Sequence, residues 1–367
     1  MKKILTVSDI EDLIVGATIL GVGGGGNPDD GLKALMEQYN LGNKLQVWSL
    51  DEFSKDDQFA SPYFVGSVAP QDPNRKKPLR TVEDPIKVAF RLLEEKLGKK
   101  ISATVATEIG GGNTAASIII AAKRGIPTVD GDLMGRAGPE LHQSTTHIFG
   151  VSMSPSGIAS ETGNEILMER YASIDDYEAV ARYASVVSGG HVAVVDSPMN
   201  MDDAAKCIVR GTLSKCIELG KARRTALSQN KDPVETIAGL LTNGRLIFEG
   251  EVSEYTWKDE RGFLFADAKV RGTGRYSNST LRSWIMNEHI MCWINEKPVV
   301  MPPDLIMFLE PSTGFGITND KLRVGMKVKV LGASIGPVWR KPRALELFGP
   351  RRFGLDYGYI PFEMLTK

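Results

Sequence analysis

The sequence predicts an α/β protein with two domains: an amino-terminal α/β domain with a parallel βαβ unit, and a carboxyl-terminal domain rich in antiparallel β-structure. Residues 101–129 have the pattern strand, helix, strand, and after Asn243 alternating apolar runs are separated by glycine and asparagine turns. A chain of 367 residues, 42% of them hydrophobic, can bury two cores. We expect the domains to be 1–170 and 171–367, the second helical at first and β-rich from about residue 244.

Capping signals predict the first helices. Ser8 and Glu11 have the spacing of a capping box, and apolar residues follow at helical spacing, so a helix is expected before the stretch LGVGGGGNPDD at residues 20–30. After the glycines, Asn27 is expected to cap a second helix with Pro28 in its first turn. Short strands near 45–48 and 63–68 and a helix over 85–97 are predicted next.

The βαβ unit consists of a strand at 101–106, a helix at 113–124 and a strand at 126–129. Asn113 is expected to cap this helix, and Gly125 to end it. Strands joined by one crossover helix are parallel. The later predicted elements are helices at 175–187 and 202–223 around a strand at 191–195, antiparallel hairpins from 246 to 294, and a strand at 323–332.

Composition limits the partners of this protein. The 44 basic and 45 acidic residues nearly balance, so the overall charge does not favour a nucleic acid or a membrane surface. The three cysteines form no CxxC pair, which is typical of reduced structural thiols. No signal peptide or membrane-spanning stretch is recognised. We expect a cytoplasmic protein that acts on a small molecule and is compatible with homo-oligomerisation.

Three carboxylates are predicted at one edge of the parallel sheet. Glu108 follows the first strand of the βαβ unit, and Asp130 and Asp132 follow the second. Ligands of open α/β sheets bind at the carboxyl ends of the parallel strands. Glu108, Asp130 and Asp132 are therefore the candidate catalytic residues, although acids in such places also brace loops.

Two glycine-rich stretches are candidate binding loops: the first at residues 20–30 and the second, EIGGGNTAA, at residues 108–116. Successive backbone N–H groups beside a helix amino end can hold an anion or a polarised carbonyl oxygen. The segment after the second strand adds a guanidinium and another acid. The candidate binding residues are Gly24, Gly25, Gly26, Asn27, Gly111, Gly112, Asn113, Arg136 and Glu140. Ordinary turn chemistry is the alternative for the glycines, and an ion pair with Glu140 is the alternative for Arg136.

If the first glycine loop is a wall of the site, alanine at Gly25 places its methyl group toward substrate. Activity is then expected to fall while stability changes little. If the glycines serve the fold alone, stability and activity fall together.

Two other chemistries fit the same residues. Gly21, Gly23 and Gly26 satisfy G-x-G-x-x-G, so a nucleotide or cofactor site is an alternative, although the fingerprint requires a strand before the loop and a helix is predicted there. The clustered acids with His142 nearby are also suited to a divalent metal such as zinc or manganese. The sequence does not identify a cofactor or decide between direct acid–base work and metal assistance.

Six segments in this order resemble the S-methyl thiohydantoin desulfurase family, which was long a domain of unknown function found beside hydantoinase and oxoprolinase genes. The segments are ILGVGGGGNP, TEIGGGNTA, TVDGDLMGRAGPELH, MNEHIMCW, PPDLIMFLEPSTGFGITNDKLRVGMKVKV and LFGPRRFGLDYGY. The resemblance covers nearly the whole chain. It implies an α/β domain followed by a domain with β-structure, and hydrolytic loss of a sulfur substituent from a five-membered cyclic amide.

That reaction needs a base for water, stabilisation of charge on the ring and help for the departing thiolate. We expect Glu108 to be the base, with Asp130 or Asp132 as alternatives. The glycine N–H groups would hold the ring oxygen, and Arg136 would bind a substrate carboxylate. A non-catalytic subunit of a hydantoinase-type complex remains the other functional alternative.

Overall fold

The computed structural model describes residues 1–66, 84–188, 191–260 and 263–365. Within these residues the chain forms a nine-stranded mixed sheet and a seven-stranded antiparallel sheet. The strands of the first sheet are β1 (Lys2–Ile4), β2 (Gln46–Trp48), β3 (Phe59–Gly66), β4 (Ala103–Ala106), β5 (Thr128–Asp132), β6 (Ser156–Ser160), β7 (Glu165–Met168), β8 (His191–Met199) and β9 (Val209–Arg210).

The strands of the second sheet are β10 (Arg245–Glu260), β11 (Phe263–Gly272), β12 (Thr280–Met286), β13 (Glu288–Ile294), β14 (Lys297–Val300), β15 (Leu305–Leu309) and β16 (Lys327–Ala333). The helices are α1 (Val7–Leu20), α2 (Pro28–Asn40), α3 (Pro85–Leu97), α4 (Asn113–Arg124), α5 (Thr145–Ile148), α6 (Ile174–Ser188), α7 (Met201–Cys207), α8 (Thr212–Ser228), α9 (Pro233–Leu240), α10 (Pro342–Phe348) and α11 (Phe362–Leu365).

The predicted fold class is confirmed. Strands β4 and β5 are parallel and α4 connects them, so the βαβ unit is present. The first sheet has the order β1-β2-β5-β4-β3-β8-β6-β7, and β9 pairs with β5. The second sheet has the order β14-β13-β12-β11-β10-β16-β15 and is antiparallel throughout, as the alternating sequence pattern predicts.

One hydrophobic core joins the two sheets. Leu13 of α1 and Leu219 of α8 are buried in the same cluster as Met307 of β15 and Leu331 of β16. The first sheet also extends beyond residue 170, because β8 lies between β3 and β6 and β9 pairs with β5. The loops of both sheets are therefore brought together around the carboxyl ends of β4 and β5.

Several local predictions are confirmed. Asn27 caps α2 by accepting a hydrogen bond from the Asp29 backbone N–H at 2.9 Å, with Pro28 at the first helical position. Gly125 ends α4 with a left-handed φ of 71°. The predicted strand at 63–68 corresponds to β3 up to Gly66, and residues 67 and 68 lie outside the described residues.

Other boundaries differ from the prediction. The capping box of α1 consists of Thr6 and Asp9, because Thr6 is extended and the two side chains bond each other's backbone N–H groups. Asn113 is the first residue of α4, and its side chain turns to Glu108 instead of capping the helix. The single helix predicted at 202–223 is wrong, because β9 pairs with β5 between α7 and α8.

No helix in the described ranges combines the length and the apolar character needed to cross a membrane.

Candidate active site

A cavity of about 1000 Å³ lies where the glycine loop after α1, the loop after β4 and the second sheet meet. Its wall includes Gly23–Gly26, and eight acidic residues of the described chain line it. These acids are Asp30, Glu108, Glu140, Glu178, Asp196, Asp259, Glu288 and Asp320. Three of them, Glu108, Asp196 and Glu288, are buried by the protein, so they face the cavity with little access to bulk water. The cavity is therefore the candidate active site.

Glu108 is placed in the cavity by the turn after β4. Its Oε1 accepts a hydrogen bond from the Asn113 side-chain amide at 2.5 Å, and its Oε2 accepts one from the Gly138 backbone N–H at 2.8 Å. Only 9% of the residue is exposed, and this burial raises its pKa to about 7 against the lowering effect of the two donors and Arg136. Glu108 therefore exchanges protons near neutral pH.

Glu288, the first residue of β13, faces the same cavity and is 3% exposed. Its Oε2 has no hydrogen-bond partner among the described residues. Burial raises its pKa well above the usual range, and the charge of Glu108 raises it further, whereas Arg136 and the backbone amide of Gly25 act in the opposite direction. Burial and the charge of Glu108 therefore both favour the protonated form of Glu288. Glu288 was not among the residues predicted from the sequence, where its only signal is an acid directly before an apolar run in NEHIMCW.

The first glycine loop fits tightly between Glu288 and the second glycine-rich stretch. A Cβ atom at Gly24 would lie 1.9 Å from Glu288 Oε1, and one at Gly25 would lie 2.4 Å from the Cα atom of Gly110. Gly25 also has a φ of 77°. The absence of side chains in this loop is therefore required by contacts within the protein, while Gly23–Gly26 and Asn27 still line the cavity.

The second glycine-rich stretch supports the first one. The Gly112 N–H donates to the Gly25 carbonyl at 3.1 Å, and the Gly110 N–H donates to the Thr114 hydroxyl at 3.0 Å. Asn113 of this stretch lines the cavity, whereas Gly111 and Gly112 are not among the described residues that line it. The Gly24 N–H is likewise used, because it donates to the Gly21 carbonyl. The Gly25 N–H is directed to the Glu288 carboxyl group, so of the predicted N–H contacts in this loop only that of Gly26 remains a predicted substrate contact.

The other two predicted catalytic acids, Asp130 and Asp132, accept hydrogen bonds from neighbouring residues of the protein. Both Asp130 oxygens accept hydrogen bonds from Ser214 at the start of α8. Asp132 is fully buried and accepts from the N–H groups of Met134 and Gly135, and burial raises its pKa to about 7. Neither aspartate is among the described residues that line the cavity. Their positions fit the bracing of loops around β5.

Arg136 is directed into the protein. The fully buried guanidinium donates to the carbonyl oxygens of Ala137, Pro303, Asp304 and His289. With these donors used by backbone carbonyls, Arg136 ties the loop after β5 to the second sheet and is not placed to bind a substrate carboxylate. The predicted ion pair between Arg136 and Glu140 is absent from the described residues, because Glu140 lines the cavity and pairs with Arg352 at 2.8 Å.

Asp196 of β8 also lines the cavity and was not among the residues predicted from the sequence. Its Oδ2 accepts hydrogen bonds from the hydroxyl groups of Tyr63 at 2.6 Å and Tyr177 at 3.0 Å. The residue is 2% exposed, and burial raises its pKa to about 6. The only sequence signal was an acid that interrupts the apolar run HVAVVD.

The geometry favours neither the metal site nor the dinucleotide site that the sequence offered as alternatives. Within the described residues, no three His, Cys, Asp or Glu side chains come together as potential ligands of one metal ion. His142 is hydrogen-bonded by Arg352 at Nδ1. The dinucleotide fingerprint lacks its strand, because α1 precedes the glycine loop.

Comparisons with known proteins place the chain in a family. A crystal structure of a protein from Chromobacterium violaceum matches with a TM-score of 0.77 and 22% sequence identity, over 99% of this chain and 100% of that chain, which shows a common fold. No curated protein is significantly similar to the chain. The family model "S-Me-THD-like, N-terminal domain" matches residues 8–170, and "S-Me-THD-like, C-terminal domain" matches residues 172–362. The chain therefore belongs to the S-Me-THD-like family, the S-methyl thiohydantoin desulfurase family that its sequence motifs resemble.

Proposed function

We propose that this protein hydrolyses the carbon–sulfur bond of an S-methyl thiohydantoin, giving a hydantoin and methanethiol. The observation that carries the proposal is the pair of buried carboxyl groups, Glu108 and Glu288, that face one cavity. Burial raises the pKa of both groups, that of Glu108 to about 7, and the charge of Glu108 raises the pKa of Glu288 further. Such a pair suits a general base and a general acid.

Glu108 acts as the base in the first step. The ring carbon that bears sulfur is a thioimidate carbon, and water must add to it before the thiolate departs. Ionised Glu108 accepts a proton from the water as the new carbon–oxygen bond forms, and passes this proton to the ring nitrogen. Asn113 and Gly138 each donate to one Glu108 oxygen and so fix the carboxylate during the transfer.

Glu288 acts as the acid in the second step. It protonates the sulfur atom as the carbon–sulfur bond breaks, and methanethiol leaves. The hydroxyl group on the ring carbon then loses its proton, the carbonyl forms, and this proton restores Glu288. One water molecule thereby supplies the carbonyl oxygen, one proton on nitrogen and one proton on sulfur, and both carboxyl groups return to their starting states.

The pH dependence of kcat/KM is expected to follow this pair. Activity rises as pH increases through about 7, because burial raises the Glu108 pKa to that value and only the ionised form is a base. At higher pH activity falls, because Glu288 loses its proton. Initial rates of methanethiol release between about pH 5 and pH 10 measure both limbs, whose midpoints belong to the coupled pair. A flat profile across this range would contradict the assignment.

The reaction itself is tested with synthetic S-methyl thiohydantoin in heavy-oxygen water. We expect methanethiol, detected with a thiol reagent, and hydantoin with one labelled oxygen, detected by mass spectrometry. A ring-opened product that keeps its sulfur would place the attack at the amide carbonyl and overturn desulfurisation. No turnover by the folded protein alone, with turnover in the presence of a hydantoinase-type partner, would favour the non-catalytic role.

A further inference from the structure

The proposed chemistry uses two of the three buried carboxylates at the cavity and leaves Asp196 without a role. This residue lies on β8, a different strand from those that carry Glu108 and Glu288. Tyr63, from the paired strand β3, also lines the cavity, whereas Tyr177 approaches Asp196 from α6. Asp196 is therefore supported from two elements and faces the cavity.

The backbone at Asp196 departs from regular β-structure. The register between β3 and β8 shifts between Phe59 and Ser61, and Ser61 pairs with Asp196. Ser197, the next residue, has a φ of 49° and lines the cavity. A positive φ is uncommon for serine, and such strain concentrates at functional sites. Here the irregularity occurs directly beside the buried carboxylate.

The hydrogen bonds at Asp196 leave it able to accept one more. A carboxylate offers about four acceptor positions. The two tyrosine hydroxyl groups bond to the same oxygen, Oδ2, and the Ser197 hydroxyl group also donates to Asp196, which leaves one position for a further donor. An ionised carboxylate accepts hydrogen bonds and donates none, so its ligand must be a donor. The same negative charge opposes a carbonyl oxygen or a carboxylate at this position.

We propose that Asp196 binds a ring N–H of the substrate, with Tyr63 and Tyr177 fixing its orientation. The proposal rests on the proposed function, because it takes the cyclic amide as the ligand. A neutral S-methyl thiohydantoin has one ring N–H, and its hydantoin product has two. The substrates are therefore cyclic amides whose ring nitrogen is unsubstituted, and a methyl group on that nitrogen excludes the molecule.

Binding of the unreactive product separates this recognition from catalysis. Dissociation constants are measured by calorimetry for hydantoin, 1-methylhydantoin and 3-methylhydantoin, with wild-type protein and the Asp196→Asn variant. For wild type, at least one methylated ring is expected to bind about ten-fold to a hundred-fold more weakly than hydantoin, as for loss of a hydrogen bond to a charged group. In Asp196→Asn this difference is expected to shrink to about three-fold or less, since the acceptor is no longer charged.

Two tyrosines of α6 provide a matched pair of variants. Tyr177→Phe removes a hydroxyl group that holds Asp196, and we expect it to reduce the discrimination between hydantoin and the methylated rings. Tyr183→Phe alters the same residue type on the exposed side of the helix and is expected to leave the discrimination unchanged.

Equal binding of all three rings by wild type, or full discrimination retained by Asp196→Asn, would overturn the inference. Failure of hydantoin to bind the wild-type protein would overturn it as well. Discrimination without methanethiol release would overturn the hydrolytic function and leave the N–H site standing, so the two failures are distinguishable.

Discussion

Replacing Glu108 with Gln is expected to lower kcat/KM for an S-methyl thiohydantoin by about a hundred-fold or more while the protein stays folded. Glutamine keeps the shape of the side chain but cannot accept the proton of the attacking water. Its amide oxygen can still accept one of the two local hydrogen bonds, and the Asn113 amide can rotate to accept from the new N–H₂ group. Rates of methanethiol release and thermal unfolding of the same preparation measure both effects.

Glu94→Gln is the matched control for this variant. Glu94 is also buried, but it accepts hydrogen bonds from Arg124 and the Ile101 backbone N–H and is not among the described residues that line the cavity. We expect Glu94→Gln to lower the melting temperature and to leave the turnover of each folded molecule unchanged. Wild-type turnover by Glu108→Gln would remove Glu108 as the base.

Replacing Gly25 with Ala is expected to destabilise the protein strongly. The new Cβ atom would lie 2.4 Å from the Gly110 Cα atom, which is backbone that cannot move aside easily, and φ at Gly25 is 77°. Overpacking and positive-φ strain together cost about 3 kcal/mol or more. For a chain of this size that corresponds to a melting temperature lower by about 4 °C or more. Activity is expected to fall with stability, in contrast to the sequence-based wall hypothesis, which places the methyl group toward substrate.

The variant Gly98→Ala separates the two expected causes of destabilisation, overpacking and positive-φ strain. Gly98 has a φ of 63° at the end of α3, but nothing lies within 4 Å of its added Cβ atom. It reports the cost of the positive φ alone, about 1 kcal/mol. If Gly25→Ala were no less stable than Gly98→Ala and yet inactive, the loop would have room for the methyl group and its role as a substrate wall would be favoured.

The sequence predicted those parts of the fold that local signals control. The cap at Asn27, the stop at Gly125 and the βαβ unit depend on neighbouring residues, and all three are confirmed. Glu108 was selected because the end of a parallel strand is a position that the fold class itself determines. Its place at the cavity agrees with that selection, and its catalytic role remains a prediction.

The rest of the candidate site depends on contacts between distant segments. Glu288 and Asp196 lie on strands of regular apolar pattern, and only the packing of the second sheet and of β8 brings them to Glu108's cavity. The orientation of the Arg136 side chain likewise depends on distant residues, because three of its four carbonyl partners are more than 150 residues away along the chain. In the sequence, a guanidinium close to acids indicates an anion-binding site. In the structure, Arg136 instead connects the loop after β5 to the second sheet.

The position of β8 has a consequence for the order of folding. Among the described strands, β6 and β7 join the first sheet only through β8, which is made after both of them during synthesis. Until residues 191–199 emerge from the ribosome, β3 has an unpaired edge and the β6–β7 hairpin has no sheet to join. A fragment that ends at residue 170 would therefore expose open strand edges, which promote aggregation. Extension of that fragment through β8 pairs these open edges. The nascent chain can therefore form the sheet only after the boundary between the two family segments, near residue 171, has been synthesised.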